Sequence, residues 1–184
     1  MCHHLLAARP DLTRAVTCTT RPPRPGEKDG VDYHFLNPAE FQRHVQAGDF
    51  IEHAMVFGRS YGTLRSELMD KLRAGRDILL NVDVQGAAAI RKRARTEPEL
   101  KRALVTVFLA PPSLAVLEER LRGRNTDAPE EIRKRLGIAR REIAQWKHFD
   151  YLLVSSTVEK DLRRMLAIVE AEKMKSARTN PVID

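Results

Sequence analysis

The sequence predicts an α/β fold built on a parallel sheet, and three observations carry that prediction. Asp77-Ile78-Leu79-Leu80-Asn81-Val82-Asp83 is an apolar run flanked and ended by polar residues, and Leu104 to Leu109 is a second. Such runs suit strands buried on both faces of a parallel sheet. Each is followed by a helical pattern, Gly86 to Ala94 and then Ser113 to Leu121. A last strand, Tyr151-Leu152-Leu153-Val154, precedes a long helix opened by Ser156-x-x-Glu159. Strand followed by helix, repeated, is the pattern of βαβ units.

In chain order, Met1 to Ala8 reads as the last turns of a helix, stopped near Pro10. Ala15 to Cys18 reads as a short strand, and so does Val31 to Phe35. Asn37-Pro38-Ala39-Glu40 is a helix start, with Asn as N-cap, Pro at the first position and Glu three residues on. That helix should end at Gly48. Phe50 to Phe57 alternates loosely and reads as a strand, and Thr63 is placed to cap a helix running to Ala74. Asp127 to Gln145 forms a further helix with Asp127 and Glu130 as a capping box, and Ser176 to Asp184 reads as a loose tail. In sheets of this kind ligands sit beyond the carboxyl ends of the strands. Three polar segments end there: Thr17 to Arg24, Asn81 to Gln85, and Ser155-Ser156.

A chain of 184 residues is long enough for one domain with a core, and 42% hydrophobic with 31% charged residues is a globular composition. No stretch approaches the length of a membrane span, and the first residues hold no secretory apolar segment. Two cysteines, Cys2 and Cys18, imply no disulfide framework, so a reducing cytoplasm is the expected setting. Cys2-His3-His4 makes a poor metal site, because adjacent helical residues face different ways. The net charge of +7 suits nucleic acid or a small polyanion. Aromatic residues are only 5% and do not alternate with the basic ones, which argues against a platform for single strands.

The stretch TTRPPRPGEKDGVDYHF, Thr19 to Phe35, holds Arg21 and Arg24 among three prolines. In polyproline II, with three residues per turn, the two arginines share a direction. Planar guanidinium forks suit phosphate oxygens, and proline leaves little backbone freedom to lose on binding. The residues alone leave two readings open, a plain surface loop and an anion clamp.

Together with FIEHAMVFGRSYGT, VDVQGA, APPSLAVLEERLRGRNTD and IRKRL, that stretch resembles the guanylate kinases, in the same order and with natural spacing. The resemblance covers nearly the whole chain, from about Leu5 to the last helix. It implies transfer of the γ-phosphate of ATP to GMP, with Mg²⁺, on a P-loop NTPase-like core of parallel sheet and flanking helices. It also implies a small mixed GMP-binding lobe and a helical lid. On this reading the core is residues 1–18, 76–121 and 146–175, the lobe about 19–75, the lid about 122–145, and the tail 176–184.

By the same resemblance, Arg21, Arg24, Tyr33 and Tyr61 would hold the GMP phosphate. Glu52 and Thr63 would read guanine, with Thr17, Asn81 and Asp83 nearby. Arg120, Arg124 and Arg135 would meet the nucleotide phosphates during transfer. Asp83 would also orient Mg²⁺, through water. Taken singly, Glu52 is a solvated strand carboxylate and Tyr61 a half-buried ring; their setting in FIEHAMVFGRSYGT is what changes the reading of Glu52.

The chain departs from the family twice. Where the family motif usually has Asp-x-Asp before Gln-Gly, this chain has Asn81-Val82-Asp83, so the expectation is weaker nucleotide or metal binding. The 184 residues also contain no G-x-x-x-x-G-K-[ST] loop, which by alignment would fall before Met1. The expectation is therefore a kinase whose chain as it stands turns over poorly. The alternative is a non-catalytic module of the same fold that binds GMP or a protein.

Overall fold

A computed structural model describes residues 1–56, 58–123 and 129–178. The chain divides into two compact units, residues 2–104 and residues 105–184 together with Met1.

In the first unit, α1 (Cys2–Ala8) leads into β1 (Leu12–Arg14), β2 (Cys18–Thr19) and β3 (His34–Phe35). Then follow α2 (Pro38–Ala47), β4 (Phe50–Val56), β5 (Arg59–Leu64), α3 (Arg65–Arg73), β6 (Asp77–Leu79), α4 (Val84–Ala94) and α5 (Pro98–Ala103). β1 pairs with β6 in parallel, as expected of strands joined by crossovers. The other four strands form a mixed sheet in the order β3-β2-β5-β4. The two sheets are fed by one segment, because the chain leaves β1 for the mixed sheet within four residues.

Local chemistry accounts for α2. The Asn37 side chain accepts from the Glu40 N–H while the Glu40 carboxylate accepts from the Asn37 N–H. Gly48 closes the helix at φ 71°, a left-handed conformation that favours glycine. α2 lays Phe41 against Phe50 of β4, with rings stacked at 4.6 Å. Cys18 joins them in one buried cluster, and Leu36, Val45 and Leu64 pack around it. Gly62 of β5 lies under the Phe50 ring, where a Cβ would come within 2.9 Å of it. A second cluster joins Ile51 of β4 to Leu68 of α3, Ile90 and Ala94 of α4, and Leu100 of α5.

The second unit contains β7 (Val107–Ala110), α6 (Leu114–Arg122), α7 (Pro129–Ile143), a single 3-10 turn at Trp146–His148, β8 (Tyr151–Val154) and α8 (Val158–Lys173). β7 and β8 pair in parallel. Thr106 and Asp150 brace the start of both strands, the Thr106 N–H and hydroxyl each donating to Asp150 Oδ2 at 2.7 Å.

Several sequence expectations are corrected. Ala15 to Thr17 is not strand: the Val16 N–H donates to the Glu67 carboxylate at 2.8 Å instead of to a neighbouring strand. Val31 and Asp32 belong to a turn closed on the Lys28 carbonyl, which leaves only His34–Phe35 as strand. Thr63 caps nothing; it is inside β5, and Leu64 precedes the helix with no side-chain cap. Thr157, not Ser156, caps α8, because both the N–H and the hydroxyl of Ser156 are directed to the Asp161 carboxylate. The apolar runs yield shorter strands than their length suggested, and β7 and β8 are not buried on both faces: Leu109, Leu152 and Val154 are exposed. β1, β5 and α5 were not anticipated. Asp127 of the expected capping box, Phe57 and the last six residues lie outside the described residues.

Candidate active site

β4 carries an irregularity that re-aims a carboxylate. Phe50 pairs with Leu64 and Glu52 with Thr63, so two residues of β4 advance while β5 advances one. Such a bulge turns side chains away from strict alternation, and Phe50, Ile51 and Glu52 are all buried in succession. Glu52 is 6% exposed and Thr63 fully buried. The Thr63 hydroxyl donates to Glu52 Oε1 at 2.6 Å.

The second oxygen, Oε2, reaches the first turn of α4, where Gly86 lies beneath it. Asp83 caps that helix, its Oδ1 accepting from the Gly86 N–H at 2.8 Å. Burial pushes the Glu52 pKa up; the Thr63 hydroxyl opposes the rise and the neighbouring Asp83 carboxylate adds to it. The arrangement is a buried carboxylate acceptor beside a second carboxylate at the helix cap. A ligand presenting two adjacent N–H groups would satisfy it. Asn81 is exposed just before, beyond the end of β6.

The arginine loop forms a second cluster. Arg21 Nη2 donates to both oxygens of Glu27 at 2.8 and 2.9 Å, and Nη1 donates to the Pro22 carbonyl. Its guanidinium lies 5.4 Å from the centre of the Tyr33 ring. Tyr33 meets Tyr61 edge to face at 6.3 Å. Glu27, then the Tyr61 hydroxyl, holds the Arg21 pKa above its ordinary value. The Arg21 hydrogen bonds, and then the Arg24 N–H, hold the Glu27 carboxylate below its own. The loop is anchored through buried Thr19, whose hydroxyl donates to the Ser60 carbonyl and accepts from the Arg21 N–H. Arg24 itself is exposed, and its backbone is tied to Glu27: its N–H donates to Glu27 Oε2 at 2.7 Å and its carbonyl accepts from the Glu27 N–H at 3.0 Å. The structure thus brings Arg21, Tyr33 and Tyr61 together and leaves the Arg24 guanidinium in solvent. Thr17 adjoins them through its carbonyl, which accepts from the His34 N–H.

In the second unit, Arg120 Nη1 is 3.5 Å from the Ser155 hydroxyl, and Arg135 Nε is 3.7 Å from Glu131 one turn earlier. Arg124 lies outside the described residues. Among the described residues no group of three or more His, Cys, Asp or Glu could hold a metal ion. No described helix is long and apolar enough to cross a membrane.

The guanylate kinase family model matches residues 1–172. The chain belongs to the guanylate kinase family. It is 41% identical over 174 residues to a guanylate kinase of Maricaulis maris, covering 95% of this chain and 77% of that protein. It is 43% identical over 173 residues to a guanylate kinase of Idiomarina loihiensis, covering 93% and 79%. The crystal structure of guanylate kinase from Anaplasma phagocytophilum superposes with a TM-score of 0.78 at 36% identity, over 96% of this chain and 82% of that one. The guanylate kinase-like α/β fold expected from the sequence is therefore present.

Three residues of this guanylate kinase escaped the sequence reading. Glu27 stands three residues after Arg24 and six after Arg21, a spacing that in hindsight suits a brace for both. Thr19 left no signal, since its hydroxyl is used by a strand forty-one residues away. Gly86 had one: a glycine in the first turn of a helix, where it costs stability unless something packs against it.

Proposed function

We propose that this guanylate kinase transfers the γ-phosphate of ATP to GMP, giving ADP and GDP, with Glu52 as the group that selects guanine. The observation that carries the reading is the buried Glu52 carboxylate, with Oε1 bonded by the Thr63 hydroxyl and Oε2 over Gly86 in the first turn of the helix that Asp83 caps. Guanine presents N1–H and N2–H₂ as neighbouring donors, and a carboxylate accepts both. Adenine has an acceptor at N1, so the same site would face it with an unpaired buried charge.

Arg21, Arg24, Tyr33 and Tyr61 then hold the GMP phosphate. Glu27 holds Arg21 beside the Tyr33 ring, which meets Tyr61, while the Arg24 side chain is exposed to the ligand. The attacking atom is a phosphate oxygen of GMP. With a second pKa of about 6 that group is already deprotonated at neutral pH, so no protein base is needed. What remains is positioning and stabilisation of charge on the transferred group. Arg120, Arg124 and Arg135 supply that charge. Mg²⁺ bound to ATP would neutralise and align its phosphates. An ion that keeps water and phosphate ligands needs few protein carboxylates, so Asp83, whose Oδ1 accepts from the Gly86 N–H as the helix cap, would orient it through water. Both cysteines are free thiols, in keeping with a cytoplasmic setting.

Calorimetry with GMP and AMP tests the acceptor reading, and a coupled assay of ADP release with GMP and MgATP follows transfer. The expected result is GMP binding at least ~100-fold tighter than AMP. Equal affinities would overturn the assignment of Glu52.

A further inference from the structure

Gly86 is the third residue of α4, in the first turn of a helix, where glycine is a weak helix former. Its φ is ordinary, so conformational freedom does not explain it. Space does. A Cβ at this position would lie 2.7 Å from Glu52 Oε2, 3.1 Å from Val82 Cβ and 3.3 Å from Asp83 Oδ1. Separations under 3.0 Å require something to move, and the end of the Glu52 side chain is the softest of the three. Oε1 is tethered to the Thr63 hydroxyl at 2.6 Å, however, so turning Oε2 away from a methyl group bends or breaks that bond.

We propose that Gly86 is a positioning residue for guanine recognition: the absent side chain is the space that seats the Glu52 carboxylate beside Asp83 over the first turn of α4. This rests on the reading that Glu52 accepts from guanine, and adds that the site is set jointly by three elements. β4 brings the carboxylate, β5 tethers one oxygen through Thr63, and α4 leaves room for the other. A methyl group at position 86 would displace the acceptor by a few tenths of an ångström or more. Charge-assisted hydrogen bonds are short and directional, so the penalty falls on guanine and not on the sugar or phosphate.

The test is a double-mutant cycle of Gly86→Ala and Glu52→Ala, read by calorimetry with GMP and AMP and by thermal unfolding without ligand. Gly86→Ala should weaken GMP about 10- to 100-fold and leave AMP unchanged, the scale of one charged hydrogen bond. With Glu52→Ala already present the methyl group has room, and Gly86→Ala should then change GMP affinity by less than about 3-fold, because the two effects share one interaction. If Gly86→Ala fails to fold while the double variant folds, the conflict between the methyl group and the carboxylate is still demonstrated. If both fail, the conflict is with Val82 and the helix, and the inference falls. It also falls if Gly86→Ala weakens GMP and AMP alike, or weakens GMP equally with and without Glu52. Loss of GMP preference in Glu52→Ala with none in Gly86→Ala overturns this inference alone. A Glu52→Ala variant that still prefers GMP overturns the guanine reading and this inference with it.

Discussion

Replacing Glu52 by Gln separates what this residue does for binding from what it costs the fold. The amide keeps one oxygen for the Thr63 hydroxyl, now 2.6 Å away. Its NH₂ group takes the place of Oε2 and presents donors to the donors of guanine. One charge-assisted hydrogen bond is lost, worth about 1.5–3 kcal/mol, which is roughly a 10- to 150-fold weaker Kd for GMP. The unliganded protein should respond in the opposite sense. Burial, with Asp83 adding to it, raises the Glu52 pKa above the ordinary carboxylate value. The folded chain therefore holds this proton more tightly than the unfolded chain does. The associated stability is present below the ordinary carboxylate pKa and is lost as pH rises through the raised one. Above the raised pKa the ionised Glu52 is a net cost, and Gln removes it. The assay is calorimetry with GMP and AMP beside thermal unfolding of both proteins. Weaker GMP binding should accompany a melting temperature equal to or above that of the starting protein. Unchanged GMP affinity, or a loss shared equally by AMP, would refute the reasoning.

Arg24→Ala should erase most of the affinity difference between GMP and guanosine, because the solvent-facing guanidinium is available to the phosphate; titration with both ligands checks this, and an undiminished difference would exclude Arg24 from the clamp. Guanosine, which has no phosphate to titrate, should bind more weakly as pH falls through the raised Glu52 pKa, since donors of guanine pair with the ionised form; the dependence should vanish in Glu52→Gln. Cys18 is fully buried and its thiol is pushed up to about 12, first by burial and then by Glu67, Asp29 and Glu52. Mass spectrometry after alkylation at pH 8 should find Cys2 modified in the native protein and both thiols modified only in denaturant. Phe41→Ala removes a ring stacked on Phe50 in a closed cluster and should cost about 3–5 kcal/mol in denaturant unfolding, with little effect on the GMP to AMP ratio.

The elements legible in the sequence are those whose signals are local. Asn37-Pro38 with Glu40 and Gly48 delimits α2 because each group bonds within its own turn. The apolar runs near Ile78, Phe108 and Leu153 announce strands because the signal is in local composition, although their burial is less than that composition suggests. The motif residues were legible through resemblance, which preserves order and spacing. The rest depended on partners far along the chain. Thr63 has the look of a helix cap, and only the β4–β5 register puts its hydroxyl on Glu52, eleven residues away. The bulge that buries three successive β4 residues breaks the alternation on which a strand reading relies. Val16 lost its strand because Glu67, fifty-one residues on, took its N–H. The sequence by itself determined which local segments form and which side chains are available to the site. The tertiary structure alone decided that Gly86 leaves room for the Glu52 carboxylate. That depends on a distance between segments that no local pattern encodes.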